Sequence, residues 1–285
     1  MGSVSGRASK ADLTDGVYAV ASGPKSPETS DVLGVPISLV DIRRTVSILN
    51  SWIEKREGGY VCVTGVHGVM ESARDPELLE IHRAAGLVVP DGVPLVWIAR
   101  RRGCSQIRRV YGPDLMLAAC RSSVELGHRH FFFGGAFGVP ELLARRLGER
   151  FPGLRVVGTH SPPFRPLSPA EDQEVVDKIN EADPDFVWVG LSTPKQERWM
   201  ATHVQRLSAP VLVGVGAAFD FHAGLKRQAP SWMQRSGLEW LFRMLSEPRR
   251  LGPRYLRNNP AFVCRLIRQS LRAGEPMLDS SRGGR

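Results

Sequence analysis

The chain carries short, nearly continuous runs of β-branched and aromatic residues, separated by longer stretches with helical spacing. Six runs recur: "YVCVT" (60–64), "GLVVP" (86–90), "HFFFG" (130–134), "RVVG" (155–158), "FVWVG" (186–190) and "VLVGV" (211–215). Apolar runs that do not alternate with polar residues suit strands covered on both faces. Between them, "IRRTVSILNSWIEK" repeats apolar residues at Ile42, Val46, Leu49 and Ile53, the period of an amphipathic helix. The segments "DLMLAACRSSVELG", "VPELLARRLGERF" and "SPAEDQEVVDKINEA" are also patterned as helices. This alternation predicts an α/β fold, a Rossmann-like and mostly parallel sheet with helices on both faces. It spans 32–229, after a polar Ser/Gly-rich leader over 1–31 that is expected to be disordered. From Pro230 to 274 the pattern turns helical and basic, and a polar tail over 275–285 is expected to fray.

A chain of 285 residues, 42% of them hydrophobic, can bury a substantial core, which excludes collagenous, low-complexity and wholly disordered classes. No run approaches the roughly 18 apolar residues of a membrane span. The leader has no apolar block of signal-peptide length, so a cytoplasmic protein is expected. Cys62, Cys104, Cys120 and Cys264 lie far apart with no CxxC pair, which favours reduced thiols over a disulfide framework or a zinc site.

Charge is distributed unevenly. The net charge is +9, and residues 226–285 alone hold 13 Lys and Arg against 4 Asp and Glu. The body is therefore neutral and the excess sits in the last fifth of the chain. A basic end of this kind points to an anionic partner: substrate phosphates, a membrane surface or nucleic acid. No nucleic-acid module or stacking-aromatic pattern accompanies the arginines, so nucleic acid is not expected. Within "NPAFVCRLIRQSLRAG", Phe262, Val263, Leu266, Ile267 and Leu271 form an apolar stripe beside Arg265, Arg268 and Arg272. That stripe suits either a helix packed on the body or an interfacial helix on an anionic bilayer. It is also compatible with self-association into a homo-oligomer.

Ligands of parallel α/β sheets bind outside the carboxyl ends of the strands, so the residues just after each run are the candidates for chemistry. Asp91 follows "LVVP" directly and is either a turn residue and helix N-cap or a carboxylate that takes a proton from an attacking hydroxyl. "STPKQERW" has a capping-box pattern, with Thr193 as N-cap, Pro194 at the first helical position and Gln196 at the third. The same helix start can bind an anion, with Lys195 and Gln196 as added donors. Gly134-Gly135 is a tight turn or a place where a phosphate or sugar meets the backbone. His67 and His222 fall near strand ends, as ordinary polar residues or as substrate contacts. Asp183-Pro184-Asp185 matches the DxD of metal-dependent sugar transferases, but it precedes its strand and reads as a loop at the wrong edge. No metal-ligand spacing, GxSxG elbow or GxGxxG fingerprint is present, so a metal-free site without a cofactor is expected, and a hydrolase or a dinucleotide oxidoreductase is disfavoured.

With these residues laid out, the sequence resembles the WecG/TagA/CpsF bacterial glycosyltransferases, glycosyltransferase family 26. The resemblance runs from about Val35 to Tyr255 and is carried by "VVPDGVPLVW", "RRVYGPDLM", "FFFGG", "GLSTPKQERWM", "GVGAAFDFHAG" and "GLEWLFRMLSEPRRLGPRY". It implies an inverting, metal-independent enzyme that moves a hexose from a UDP-sugar to a polyprenyl-diphosphate-linked sugar at the inner face of the cell membrane. Asp91 is then the implied general base, with Thr64, Arg109 and Gln196 in the same pocket. Asp220 is implied at the nucleoside end and Gly134-Gly135 at the UDP. Arg243, Arg250 and Arg254 are implied to close over the pocket and stabilise the leaving diphosphate. One position departs: Val66 stands where members commonly carry asparagine, so N-acetylmannosamine and glucose, or a related hexose, both stand as the sugar transferred. The rival from another class is a non-catalytic protein that binds nucleotide or anionic membrane on the same fold.

Overall fold

The structure, a computed structural model, describes residues 27–273. The leader up to residue 26 and the tail expected over 275–285 lie outside the described residues. The first described element is an antiparallel hairpin, β1 (Thr29–Val32) and β2 (Val35–Ser38). Residues 29–31, read as the end of the leader, are therefore strand. The backbone N–H of Val88 donates to Ser38 Oγ at 3.1 Å, which ties the hairpin to the main sheet.

The main sheet has six parallel strands: β3 (Gly59–Thr64), β4 (Leu87–Pro90), β5 (Arg129–Gly134), β6 (Arg155–His160), β7 (Phe186–Gly190) and β8 (Val211–Gly214), in the order β4-β3-β8-β7-β5-β6. Each apolar run of the sequence is one of these strands. Successive side chains of a strand point to opposite faces, and the core divides accordingly. Tyr60, Cys62, Phe131, Phe133, Val187 and Leu212 belong to one buried cluster, while Val61, Phe132, Trp188 and Val211 belong to the other.

Helices cover both faces because both faces are apolar. α1 (Ile42–Lys55), α5 (Gly112–Leu126), α6 (Val139–Arg150) and α9 (Ala218–His222) contribute buried residues to the second cluster. α2 (Val66–Ser72), α3 (Pro76–Ala84), α4 (Val93–Arg101), α7 (Pro169–Glu181) and α8 (Lys195–His203) contribute to the first. Their ends follow local chemistry. Asp41 caps α1 by accepting from Arg44 N at 2.8 Å, and Ser168 with Glu171 closes a capping box on α7.

The capping box expected at "STPKQERW" does not form. The Thr193–Pro194 bond is cis, Pro194 occupies the N-cap, and α8 starts at Lys195. Thr193 Oγ1 instead donates to Glu197 Oε1 at 2.7 Å. A buried carboxylate needs donors more than a helix end with access to water does.

The basic end forms α10 (Ser231–Arg235), α11 (Glu239–Ser246) and the long α12 (Pro248–Ala273). α12 lies against α2 and the hairpin. Arg265 Nη1 donates to Ala73 O at 2.9 Å, and Gln269 Nε2 donates to Asp31 Oδ1 at 2.7 Å. The apolar stripe is split by this packing. Phe262 is buried in the first cluster and Leu266 packs against it, whereas Val263, Ile267 and Leu271 face outward.

Candidate active site

One cleft of roughly 1910 Å³ runs along the carboxyl edge of the sheet and is roofed by the basic end. Strand-end residues Gly65, Asp91, Gly135, Ser192 and Gly216 line its floor. Arg243, Arg250, Arg254 and Asn258 line it from α11 and α12. Two parts of the chain far apart in sequence thus share one cavity.

Asp91 leaves β4 at its carboxyl end. The expected alternative, Asp91 as N-cap of α4, does not hold, because Gly92 takes that position. The Asp91 carboxylate instead accepts from the backbone N–H of Gly112 at 3.2 Å, the first residue of α5. Its side chain keeps 31% exposure, all that is needed for a substrate hydroxyl to reach it. Desolvation pushes its pKa above the ordinary carboxylate value. Arg109 and the Gly112 N–H oppose that shift, and Glu239 adds to it.

Arg109 is the hub of the site. Its Nε donates to the backbone carbonyl of Asp91, its Nη2 to Glu239 Oε2, and its Nη1 to Gln234 O at 3.4 Å. The guanidinium also stacks on Tyr111, 4.2 Å from the ring centroid. One arginine therefore fastens the Asp91 loop to α11. Glu239, the anchor on the roof, is buried and went unnoticed in the sequence, where a lone Glu beside a Trp has no periodic signal. Replacing Glu239 with Gln keeps the shape and removes the charge. The expected result is a kcat about tenfold to a hundredfold lower, from looser positioning of the Asp91 loop. The acidic limb of the pH–rate profile should also move to lower pH, since a negative charge that raises the Asp91 pKa is gone. Steady-state kinetics across pH 4–8 checks both.

Gln196 is buried at the start of α8 and gives its Nε2 to Glu197 Oε1 at 3.2 Å. That leaves Gln196 Oε1 without a hydrogen-bond partner among the described residues. Gly216, in the floor, lies close to it: a Cβ there would stand 3.4 Å from that oxygen. Tyr111 Oη, Arg254 Nε and Asn258 Oδ1 are likewise buried and unpartnered among the described residues, and all three residues line the cleft. Burying such groups unpaired costs free energy, about 1–3 kcal/mol each, so their concentration around one cleft marks a surface built for a polar ligand.

Three expected residues, Thr64, Gly134 and His222, are not among those that line the cleft. Thr64 is 2% exposed, and its hydroxyl lies 3.1 Å from His82 Nε2, inside a buried Thr64–His82–Ser72 network. Gly134 has φ +120° and a Cβ there would stand 2.7 Å from the backbone of Gly190, so strand packing requires this glycine. Gly135, its neighbour, does line the cleft. Lys195 is exposed at the first turn of α8 and lines it too. Asp220 lies on the floor paired with Lys226 at 2.9 Å, and Lys226 reaches Glu247 at 3.4 Å, which in turn holds Arg250 at 2.5 Å. Arg243 sits 5.8 Å from the Phe221 ring, and Arg254 lies over Tyr255 at 5.3 Å. His67 borders the cleft, whereas His222 is turned to the Pro113 carbonyl at 2.9 Å. Asp183 and Asp185 pair with Arg129 at the opposite edge of the sheet, at 2.6 and 3.4 Å. Among the described residues no group of three His, Cys, Asp or Glu side chains is arranged to hold a metal ion.

A parallel sheet with a carboxylate, an arginine cluster and unpaired polar atoms along its carboxyl edge is an α/β protein with a cleft suited to an anionic ligand. The sequence matches the model of the glycosyl transferase WecG/TagA/CpsF family over residues 30–276, and the chain belongs to this family of glycosyltransferases. It is similar to the N-acetylglucosaminyldiphosphoundecaprenol N-acetyl-beta-D-mannosaminyltransferase of Bacillus spizizenii, with 26% identity over 79% of this chain and 85% of the relative. The enzyme of the same name from Staphylococcus aureus strain MW2 shares 26% identity over 84% of this chain and 92% of its own.

Proposed function

We propose that this protein is an inverting transferase that moves a hexose from a UDP-sugar to a polyprenyl-diphosphate-linked sugar in cell-surface polysaccharide synthesis. The observation that carries this reading is the Asp91 carboxylate, accepting from the Gly112 N–H while Arg109 holds its backbone carbonyl, in a cleft whose roof supplies Arg243, Arg250 and Arg254. The relatives' names specify an N-acetylmannosaminyl group and a diphosphoundecaprenol-linked N-acetylglucosamine acceptor. In this reading the acceptor hydroxyl attacks the anomeric carbon as its proton passes to Asp91. The bond from that carbon to the UDP oxygen breaks, and UDP leaves with the electron pair. Charge grows on the departing diphosphate, and arginines preset around it stabilise that growth without a metal ion. Gln196, Lys195 and Gly135 contact the sugar and phosphates, and Asp220 contacts the nucleoside end.

The acceptor is a membrane lipid, and α12 offers a way to meet it. Leu256, Val263, Ile267 and Leu271 are exposed along one side of the helix, with Arg257 and Arg268 beside them. That side suits a helix lying in the interface of an anionic membrane. No helix among the described residues is long and apolar enough to cross one. We read the protein as peripheral on the cytoplasmic face.

The test is UDP release from a panel of UDP-sugars, in the presence of EDTA, with and without a polyprenyl-diphosphate-linked N-acetylglucosamine. Acceptor-dependent release with one donor is the expected result and names the sugar. No release with any donor, lipid present, overturns the reading.

A further inference from the structure

α12 does more than bring arginines to the roof. Where it crosses α2, Asn258 meets His67, and Nδ2 of the amide lies 3.1 Å from Nδ1 of the ring. Burial and the nearby Arg254, Arg74 and Arg243 push the His67 pKa down to about 4, so the ring is neutral near pH 7. A neutral imidazole has one N–H, and this ring hydrogen-bonds the Thr193 backbone. Glu71 Oε1 stands 3.6 Å from Nδ1, beyond hydrogen-bond length. With the ring proton given to the carbonyl, Nδ1 is an acceptor and the Asn258 amide presents its NH₂ to it. The orientation of the amide is fixed by this chain of bonds. Its Oδ1 is then turned away from His67.

Asn258 is 3% exposed, it lines the cleft, and its Oδ1 has no partner among the described residues. Arg254, four residues earlier and so on the same side of α12, has a buried Nε that is also unpartnered. One turn of helix therefore carries an acceptor and a cationic donor about 6 Å apart along the axis. A ligand that satisfies both must offer a hydrogen-bond donor and an anionic oxygen at that spacing. Both atoms are shielded from water, so such a ligand is enclosed between α12 and α2 and does not lie on the surface. A sugar 1-diphosphate has this pattern: the hydroxyl or acetamido N–H on the carbon next to the anomeric centre, and the phosphate oxygens beyond it.

We propose that Asn258, its amide set by His67, is a specificity residue that accepts a hydrogen bond from the substituent beside the anomeric carbon of a glycosyl diphosphate, whose phosphate pairs with Arg254. The inference rests on the glycosyltransferase reading above. The glycosyl diphosphate has two sources, the UDP-sugar donor or the lipid-linked acceptor, and the experiment separates them.

Binding by calorimetry and, in parallel, transfer kinetics compare matched probes. The donor pair is UDP-glucose and UDP-2-deoxyglucose. The acceptor pair is a short-chain prenyl diphosphate carrying N-acetylglucosamine or 2-deoxyglucose. Wild-type protein is expected to favour the probe with the 2-substituent by about tenfold in one pair only, the ordinary worth of one enclosed hydrogen bond. Asn258→Leu removes the acceptor oxygen and should reduce that preference to within twofold. His67→Leu leaves Asn258 in place but frees its amide, so it should lose most of the same preference; it also serves if the first variant folds poorly.

An unchanged preference in both variants overturns the proposal while leaving the transferase reading intact. A preference that collapses in binding, without any transfer by wild type, supports the proposal and overturns that reading. Wild type that shows no preference in either pair, or binds none of the probes, overturns the proposal.

Discussion

Asp91→Asn is expected to cut transfer by about 10²–10⁴-fold, the usual contribution of a positioned base, with little change in KM or thermal stability. The amide is the same size as the carboxylate and its oxygen can still accept from the Gly112 N–H, which lies 3.2 Å from the native Oδ1. What it cannot do is take the acceptor's proton. The pH dependence of the native enzyme should report the same group. Desolvation raises the Asp91 pKa, with Glu239 adding to the rise and Arg109 and Arg243 opposing it. Only the ionised form is a base, so the rate is full above that raised pKa and is lost as pH falls through it. The acidic limb should therefore lie above the ordinary Asp value of about 3.9 and be absent in Asp91→Asn. Full turnover by the Asn variant with a matched acceptor would assign the base elsewhere.

Removing residues from 247 onward should abolish transfer and weaken binding to anionic liposomes. The cut takes Arg250, Arg254 and Asn258 from the roof of the cleft, and with them two of the three arginines placed to meet the departing diphosphate. It also takes the outward side of α12. Phe262 is 5% exposed in the intact chain, so the cut uncovers apolar surface on the body and lowers stability as well. A second variant separates these effects. Changing Leu256, Val263, Ile267 and Leu271 to Asp leaves the inward side of α12 alone, since Leu256 is 70% and Leu271 72% exposed. It should lower liposome binding and use of the long-chain acceptor by at least about tenfold, given about 0.8 kcal/mol per buried CH₂. Transfer to a short-chain acceptor in solution should be kept. A truncated enzyme that is fully active, or a strip variant that still binds liposomes, refutes the part given to α12.

Several features of this protein were legible because they are local or periodic. The six strands follow from apolar runs that leave no polar face, and α1 over Ile42–Lys55 coincides with its spacing of Ile42, Val46, Leu49 and Ile53. The position of the cleft follows as well, because a parallel sheet sends the loops after its strands to one edge. Asp91, Gly135, Gln196 and Lys195 meet there for that reason. The concentration of arginine after Pro230 is likewise read directly from the sequence.

Other features had no local signal. A hydroxyl after a strand looks the same whether it faces a ligand or the core, and only the arrival of His82 from α3 shows that Thr64 is turned inward. Gly134 has the sequence setting of a ligand contact, and only the backbone of Gly190 against it gives it a packing role. The stripe on α12 has one period but two sides, and the period does not say which side meets the body. Glu239 finds Arg109 across 130 residues, and Asn258 finds His67 across 191. The α/β sheet, its ligand edge and the basic end each follow from side-chain pattern along a short stretch. How that end is laid across the edge, and which polar atoms it leaves unpaired there, depends on single contacts between distant residues, and these have no period to read.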